Sequence, residues 1–220
     1  MVLAQSLFLR LRQNNAAVLI DVLAPAWTLP IVRRMPEVRN AIESPFTHGE
    51  LALRRRFRLA QTLRHEAYDQ AIVLPNSLKS ALIPFFAGIP RRSGYRGEFR
   101  YGLLNDFRIL DSRRLPRMVD RFVALAGGPV GDPPSPRLIQ SETERQATLS
   151  ALNICSAGPI VALCVGAEFG PAKRWPPGHF GALARILARA GWQCWLVGSS
   201  KDQAIAAEVV RQSERTVLDL

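Results

Sequence analysis

Short apolar runs alternate with stretches of helical periodicity along almost the whole chain, and that alternation leaves few folds open. Residues 18–24, 71–75, 160–165 and 192–197 are apolar runs too short for helices, so they predict strands, mostly buried, and 38–42 and 216–220 read as two further short strands. Between them, residues 1–12, 26–34, 51–67, 77–87, 115–126, 142–152, 178–190 and 201–212 carry helical spacing. In the first helix Leu3, Leu7, Phe8 and Leu11 share a face, and in the fifth Leu115, Met118, Val119, Phe122 and Leu125 point inward. Strands alternating with helices predict a doubly wound α/β fold with parallel sheets. Residues 127–136 hold three glycines and four prolines. They divide the chain into a domain at 1–126, a linker at 127–141 and the start of a second domain at 142–220.

Charge narrows the choice of partner. The formal net charge is +11 and most of the cations are arginine, which suits bidentate contact with phosphates or carboxylates. Cys155, Cys164 and Cys194 form no closely spaced pair; Cys164 and Cys194 lie inside apolar runs and read as small core residues in a reducing compartment. No run approaches the ~18 apolar residues of a membrane span. Arg10 and Arg12 follow the first apolar stretch instead of preceding it, unlike a secretory signal. A cytoplasmic protein is expected, with peripheral contact with a membrane surface left open.

Three segments could carry chemistry. The first runs from Gly166 through Glu168, Phe169, Lys173 and Arg174 to Pro176, between a strand and a helix. In open α/β sheets ligands bind at the carboxyl ends of strands. Glycines let backbone N–H groups approach an oxyanion, and a helix N-terminus adds partial positive charge. With Lys173 and Arg174 the loop reads as a phosphate site, or else as a turn with two solvated cations; it is not a P-loop, because no hydroxyl follows the lysine. The second segment, Asn76, Ser77, Lys79 and Ser80, opens a helix after a strand, with Ser77 as its cap and the others facing a ligand or solvent. The third, residues 89–101, reads as a loop in which Arg91, Arg92, Arg96 and Arg100 interleave with aromatics, a pattern that can clamp an anion. Arg54, Arg55, Arg56 and Arg58, with Arg64 and His65 beyond, read as a solvated helix surface or as a patch for anionic headgroups. His48, His65 and His179 have no metal-ligand spacing, and His48 reads as structural or substrate-contacting.

Several of these segments together resemble one family. Residues 21–27, 35–38, 73–81, 84–92, 100–106 and 166–176 are similar, in order, to the heptosyltransferase II group of glycosyltransferase family 9. Val165 stands where that family is expected to have proline. The resemblance implies a GT-B glycosyltransferase: two Rossmann-like domains, an acceptor side in the N-terminal one, nucleotide-sugar binding in the C-terminal one, and an active site in the cleft between. It implies transfer of L-glycero-D-manno-heptose from ADP-heptose to the inner core of lipopolysaccharide, with inversion and without a metal or other cofactor.

On that resemblance Gly166, Glu168, Phe169, Lys173 and Arg174 are expected on the donor, with Lys173 on its diphosphate. Asn76, Ser77, Lys79, Arg91, Arg92 and Arg96 are expected on the Kdo-heptose-lipid A acceptor. The general-base aspartate is expected just upstream of Met1, and a second donor motif beyond position 220. The chain is therefore expected to be an inactive fragment, with no catalytic residue of its own, the first strand of its N-terminal domain missing and its C-terminal domain partly present. The competing expectation is a non-catalytic basic module that binds RNA or an anionic membrane; the family resemblance implies no nucleic-acid partner.

Overall fold

The computed structural model describes every residue except 48, 129–130, 156–157 and 168–169. It is an α/β structure in two compact units, Met1–Ile139 and Gln140–Leu220. Every strand ladder among the described residues is parallel, as expected.

In the first unit, β1 (Ile20–Pro25) pairs with β2 (Val38–Ser44). β3 (Gln70–Val73), β4 (Arg91–Tyr95) and β5 (Asp106–Arg108) form a second sheet with β4 in the middle. The helices are α1 (Gln5–Asn14), α2 (Leu29–Val32), α3 (Leu53–Arg64), α4 (Leu78–Phe86) and α5 (Met118–Ala124). Alternation along β1 gives the sheet two covered faces. Ile20, Val22 and Ala24 join Leu7 and Phe8 of α1, Val32, Met35 and Leu125 in one core. Leu23 packs instead against Ala60 and Leu63 of α3 and Ile83 of α4.

Two helix faces differ from expectation. Leu3 is exposed, while Gln5 and Ser6 are buried beside Leu7 and Phe8. The buried amide of Gln5 is satisfied: it donates to Glu37 at 3.0 Å and to the Arg137 carbonyl at 2.7 Å, and accepts from the Arg137 N–H at 2.9 Å. The Ile139 N–H donates to the Arg34 carbonyl at 2.8 Å, so much of the expected linker is strapped to the first unit. In α5, Met118 is exposed and Val123 takes the buried position, because the helix starts later than the apolar pattern and turns on Val123 and Leu125.

Asp21 is the main buried charge of β1. It accepts from Arg39 Nε at 2.9 Å, Tyr68 Oη at 2.6 Å and Asn40 Nδ2 at 3.3 Å. Burial alone would raise its pKa, but these donors outweigh burial and hold it at about 2. A carboxylate whose folded pKa lies below its unfolded value stabilises the fold above the unfolded pKa, near 4, and loses that contribution as pH falls toward 2. About 2 kcal/mol of unfolding free energy is therefore expected to disappear between pH 4 and pH 2. Urea midpoints across that range should show it, and Asp21→Asn should flatten the slope while lowering stability at pH 7. An unchanged slope in Asp21→Asn would remove the assignment.

The second unit has β6 (Ile160–Cys164), β7 (Gln193–Val197) and β8 (Val217–Asp219) in that order, with α6 (Glu142–Ala151), α7 (Pro177–Arg189) and α8 (Gln203–Gln212). Ser141 and Glu144 form a reciprocal capping box that starts α6. Leu163, Cys194 and Leu196 share one core with Ala184 of α7 and Ala206 and Val209 of α8, so both of these helices cover the same face of the sheet. Of the residues that alternate with them, Ile160, Cys164 and Val197 are exposed and Trp195 is half-buried. This corrects two expectations: β6 is buried on one side only, and Cys164 is a surface residue; Cys194 is the core cysteine.

Candidate functional site

The carboxyl ends of β6 and β7 open into a pocket of about 370 Å³ in the second unit. Gly166 and Ala167 form its wall after β6, and Gly198, Ser199 and Asp202 form it after β7, with Arg174 and Lys201 on the rim. The strand-to-helix loop thus lies where ligand sites in parallel sheets form. Gly170 turns the chain at φ +78°, a left-handed conformation that glycine adopts at little cost. The Lys173 N–H then donates to the Gly170 carbonyl at 3.3 Å, closing a short turn, Pro171–Lys173, ahead of α7. Arg174 reaches back to the Ala167 carbonyl at 3.4 Å. Trp175 stacks on His179 with ring centroids 5.4 Å apart and meets Phe180 edge-on at 4.9 Å, anchoring the loop to the start of α7. Glu168 and Phe169, expected on the donor, lie outside the described residues, as does His48.

Asp202 is the residue that sequence reasoning missed here. Its carboxylate accepts from Ser199 Oγ at 2.7 Å and from the Ser199 N–H at 3.0 Å. These bonds, aided by Arg174 and Lys201, pull its pKa below the ordinary carboxylate range against the effect of burial. The same carboxylate lies over Gly166: a Cβ on Gly166 would sit 2.5 Å from Asp202 Oδ1. A side chain at 166 would therefore have to displace the Asp202 carboxylate from its bonds to Ser199. The signal in the sequence was Gly198, Ser199 and Ser200 after an apolar run, a second loop of the same kind as the first.

In the first unit, residues 91–95 of the segment expected as a loop at 89–101 form strand β4. Its first two arginines are therefore held by neighbouring segments of the unit. Arg91 pairs with Asp106 at 2.9 Å. Arg92 donates to the carbonyls of Leu103 and Ile89, each at 2.6 Å, and lies over the Phe85 ring. Arg96, past the strand, is exposed, with its guanidinium 5.8 Å from the Tyr101 ring centroid.

Arg100 is 3% exposed. It donates to the Pro75 carbonyl at 2.7 Å, to Asn76 Oδ1 at 3.2 Å and to the Tyr95 carbonyl. Burial lowers its pKa against the opposing effect of the nearby Glu98 carboxylate, and among the described residues no carboxylate forms an ion pair with it. This arginine fastens the loop of Asn76, Ser77 and Lys79 to the end of β4. Ser77 occupies the cap position of α4 but makes no capping bond; Glu98 accepts from the Leu78 N–H at 3.1 Å instead, so the cap comes from a distant residue. Lys79 is half-buried, and its carbonyl accepts from Arg56 at 3.2 Å.

The sequence profile of glycosyltransferase family 9 (heptosyltransferase) matches residues 56–220. The chain belongs to glycosyltransferase family 9. Among family members it is 47% identical over 219 residues to lipopolysaccharide heptosyltransferase 2 of Escherichia coli, covering 96% of this chain and 63% of that protein. The Salmonella typhimurium protein of the same name is 48% identical, with the same shares covered. The solved structure of E. coli ADP-heptose lps heptosyltransferase II superposes with a TM-score of 0.87 at 42% identity, covering 100% of this chain and 68% of that one. This GT-B likeness agrees with the fold class read from the sequence. The chain spans 63% of the length of these curated relatives.

Proposed function

We propose that this family 9 chain is part of a heptosyltransferase that moves L-glycero-D-manno-heptose from ADP-heptose to the inner core of lipopolysaccharide, with inversion and without a metal. The observation that carries the reading is the glycine-turned loop from Gly166 to Arg174 at the carboxyl end of β6, in a chain 47% identical to a named heptosyltransferase. Lys173 and Arg174 supply charge for the donor diphosphate, which carries developing negative charge as the sugar leaves. The start of α7 adds the partial charge of its N-terminus. Residues 142–220 serve the donor and 1–126 the acceptor, whose carboxylates and phosphates suit a net charge of +11. Arg96 and the Asn76–Lys79 loop face the acceptor; Arg91 and Arg92 support them from the sheet. No catalytic base is assigned within this chain. The protein works in the cytoplasm with peripheral contact with the inner membrane; among the described residues no helix is long and apolar enough to cross one.

Joining this chain to the flanking segments of the E. coli relative gives a chimera in which transfer and donor binding can be measured together. Lys173→Ala is expected to weaken ADP-heptose binding roughly tenfold or more, as a charge-assisted phosphate contact of ~1.5–3 kcal/mol implies. The KM for the Kdo-heptose acceptor should stay near its original value. Calorimetry showing unchanged donor affinity would remove Lys173 from the site, and a chimera inert toward ADP-heptose would remove the reading.

A further inference from the structure

The side of α3 next to α4 carries an apolar, cationic surface that the transfer site does not use. At 100° per residue, Arg56, Ala60 and Leu63 form the buried face of the helix. Leu53 and Phe57 follow on one flank, and Arg54 and Arg58 lie just beyond them. Leu53 is 49% exposed, Phe57 51% and, on α4, Phe85 42%. The aromatics are contiguous: Phe57 meets Phe86 edge-on at 5.6 Å, and Phe86 meets Phe85 at 5.9 Å. Arg55 is held by Glu50, but among the described residues neither Arg54 nor Arg58 has an acidic partner.

Exposed phenylalanines bordered by unpaired arginines on one helix face fit a boundary between hydrocarbon and anionic headgroups. Charge complementarity decides the occupant: a second copy docked through the same face would set Arg54 and Arg58 against each other's cations, whereas an anionic bilayer satisfies both components.

We propose that Leu53, Phe57 and Phe85, flanked by Arg54 and Arg58, dock this protein on the surface of an anionic lipid bilayer. The inference names the surface for the peripheral contact included in the proposed function. Binding to vesicles is read without donor or acceptor, so its failure leaves the transfer reading standing, and failure of transfer leaves the surface standing.

The experiment is co-sedimentation of the chain with vesicles of phosphatidylcholine alone or with 30% phosphatidylglycerol, a probe composition on the order of a strongly anionic leaflet. Binding is expected to be at least tenfold stronger on the anionic vesicles and to weaken with salt. Arg54→Glu with Arg58→Glu should lose at least tenfold on them. Leu53→Ser with Phe57→Ser, at positions already half exposed, should lose a similar factor while the circular dichroism spectrum is unchanged. Millimolar inorganic phosphate should not compete. Equal binding to both vesicle types, full binding by either double variant, or displacement by phosphate would overturn the proposal. So would a dimer in sedimentation equilibrium that Leu53→Ser with Phe57→Ser converts to monomer.

Discussion

Replacing Arg100 by methionine is expected to lower the unfolding free energy of the first unit by about 2–4 kcal/mol. The guanidinium serves three acceptors, the carbonyls of Pro75 and Tyr95 and the side chain of Asn76. Each buried acceptor left without a donor costs ~1–3 kcal/mol. Against that, methionine fills much of the volume, and removing a buried cation recovers part of its desolvation cost. The acceptors win because the Tyr95 carbonyl belongs to a buried residue, while the exposed Pro75 and Asn76 lose a charged donor at the same time. Arg100→Lys should restore less than half of the loss, since an ammonium cannot present the planar fork that reaches separate carbonyls. Chemical unfolding of the three proteins checks the order. Hydrogen exchange at Leu78, whose N–H is capped by Glu98, should rise in Arg100→Met as the Asn76 loop loosens. A neutral Arg100→Met would show that the loop is held by something else.

Gly181→Leu should cost the second unit about 3 kcal/mol or more, the upper end of overpacking penalties. Gly181 lies in the middle of α7, and a Cβ there would meet the Gln212 Cβ at 2.6 Å and its backbone carbon at 2.7 Å. The end of α8 is therefore in direct backbone contact with α7, and Arg185 holds it there by donating to the Gln212 carbonyl. Alanine tests the point best, because Gly→Ala inside a helix ordinarily gains ~0.5–1 kcal/mol. Here Gly181→Ala is expected to destabilise, reversing the sign. Gly178→Ala in the same helix meets nothing within 4 Å and should show the ordinary gain. Thermal or urea midpoints ordered Gly178→Ala, wild type, Gly181→Ala, Gly181→Leu would establish the contact; a stabilising Gly181→Ala would refute it.

The sequence made the α/β architecture legible because β1, β3, β6 and β7 lie in apolar runs bounded by turn residues, and that pattern survives without partners. Residues whose position depends on a distant neighbour were not legible. β5, Asp106–Arg108, is short and polar, and becomes a strand only by pairing with β4. Arg91 and Arg92 looked like loop cations because local composition cannot reveal Asp106 or the Leu103 carbonyl as their partners. Cys164 sat in an apolar run like that of Cys194, and only the placement of α7 and α8 on one face of the sheet separates an exposed thiol from a buried one. The Gly166 loop could be placed from the sequence, whereas the carboxylate that packs over it comes from thirty-six residues further on, at Asp202.

Arg56 and Arg100 are both buried, and both are ringed by carbonyl oxygens with no ion-pair partner among the described residues. Two full charges are thus fixed behind the Asn76–Lys79 loop, each touching that segment directly. Surface cations lose their reach beyond roughly a Debye length of ~8 Å in physiological salt, but charges inside a low-dielectric body are screened much less. An anion seated against this loop would therefore feel the two cations mostly through protein, where salt screens little, with Glu50 and Glu98 offsetting part of their charge. Encounter rates for anionic ligands at this end of the first unit should fall steeply with ionic strength, because the approach is through solvent, while the affinity of the seated anion should fall less.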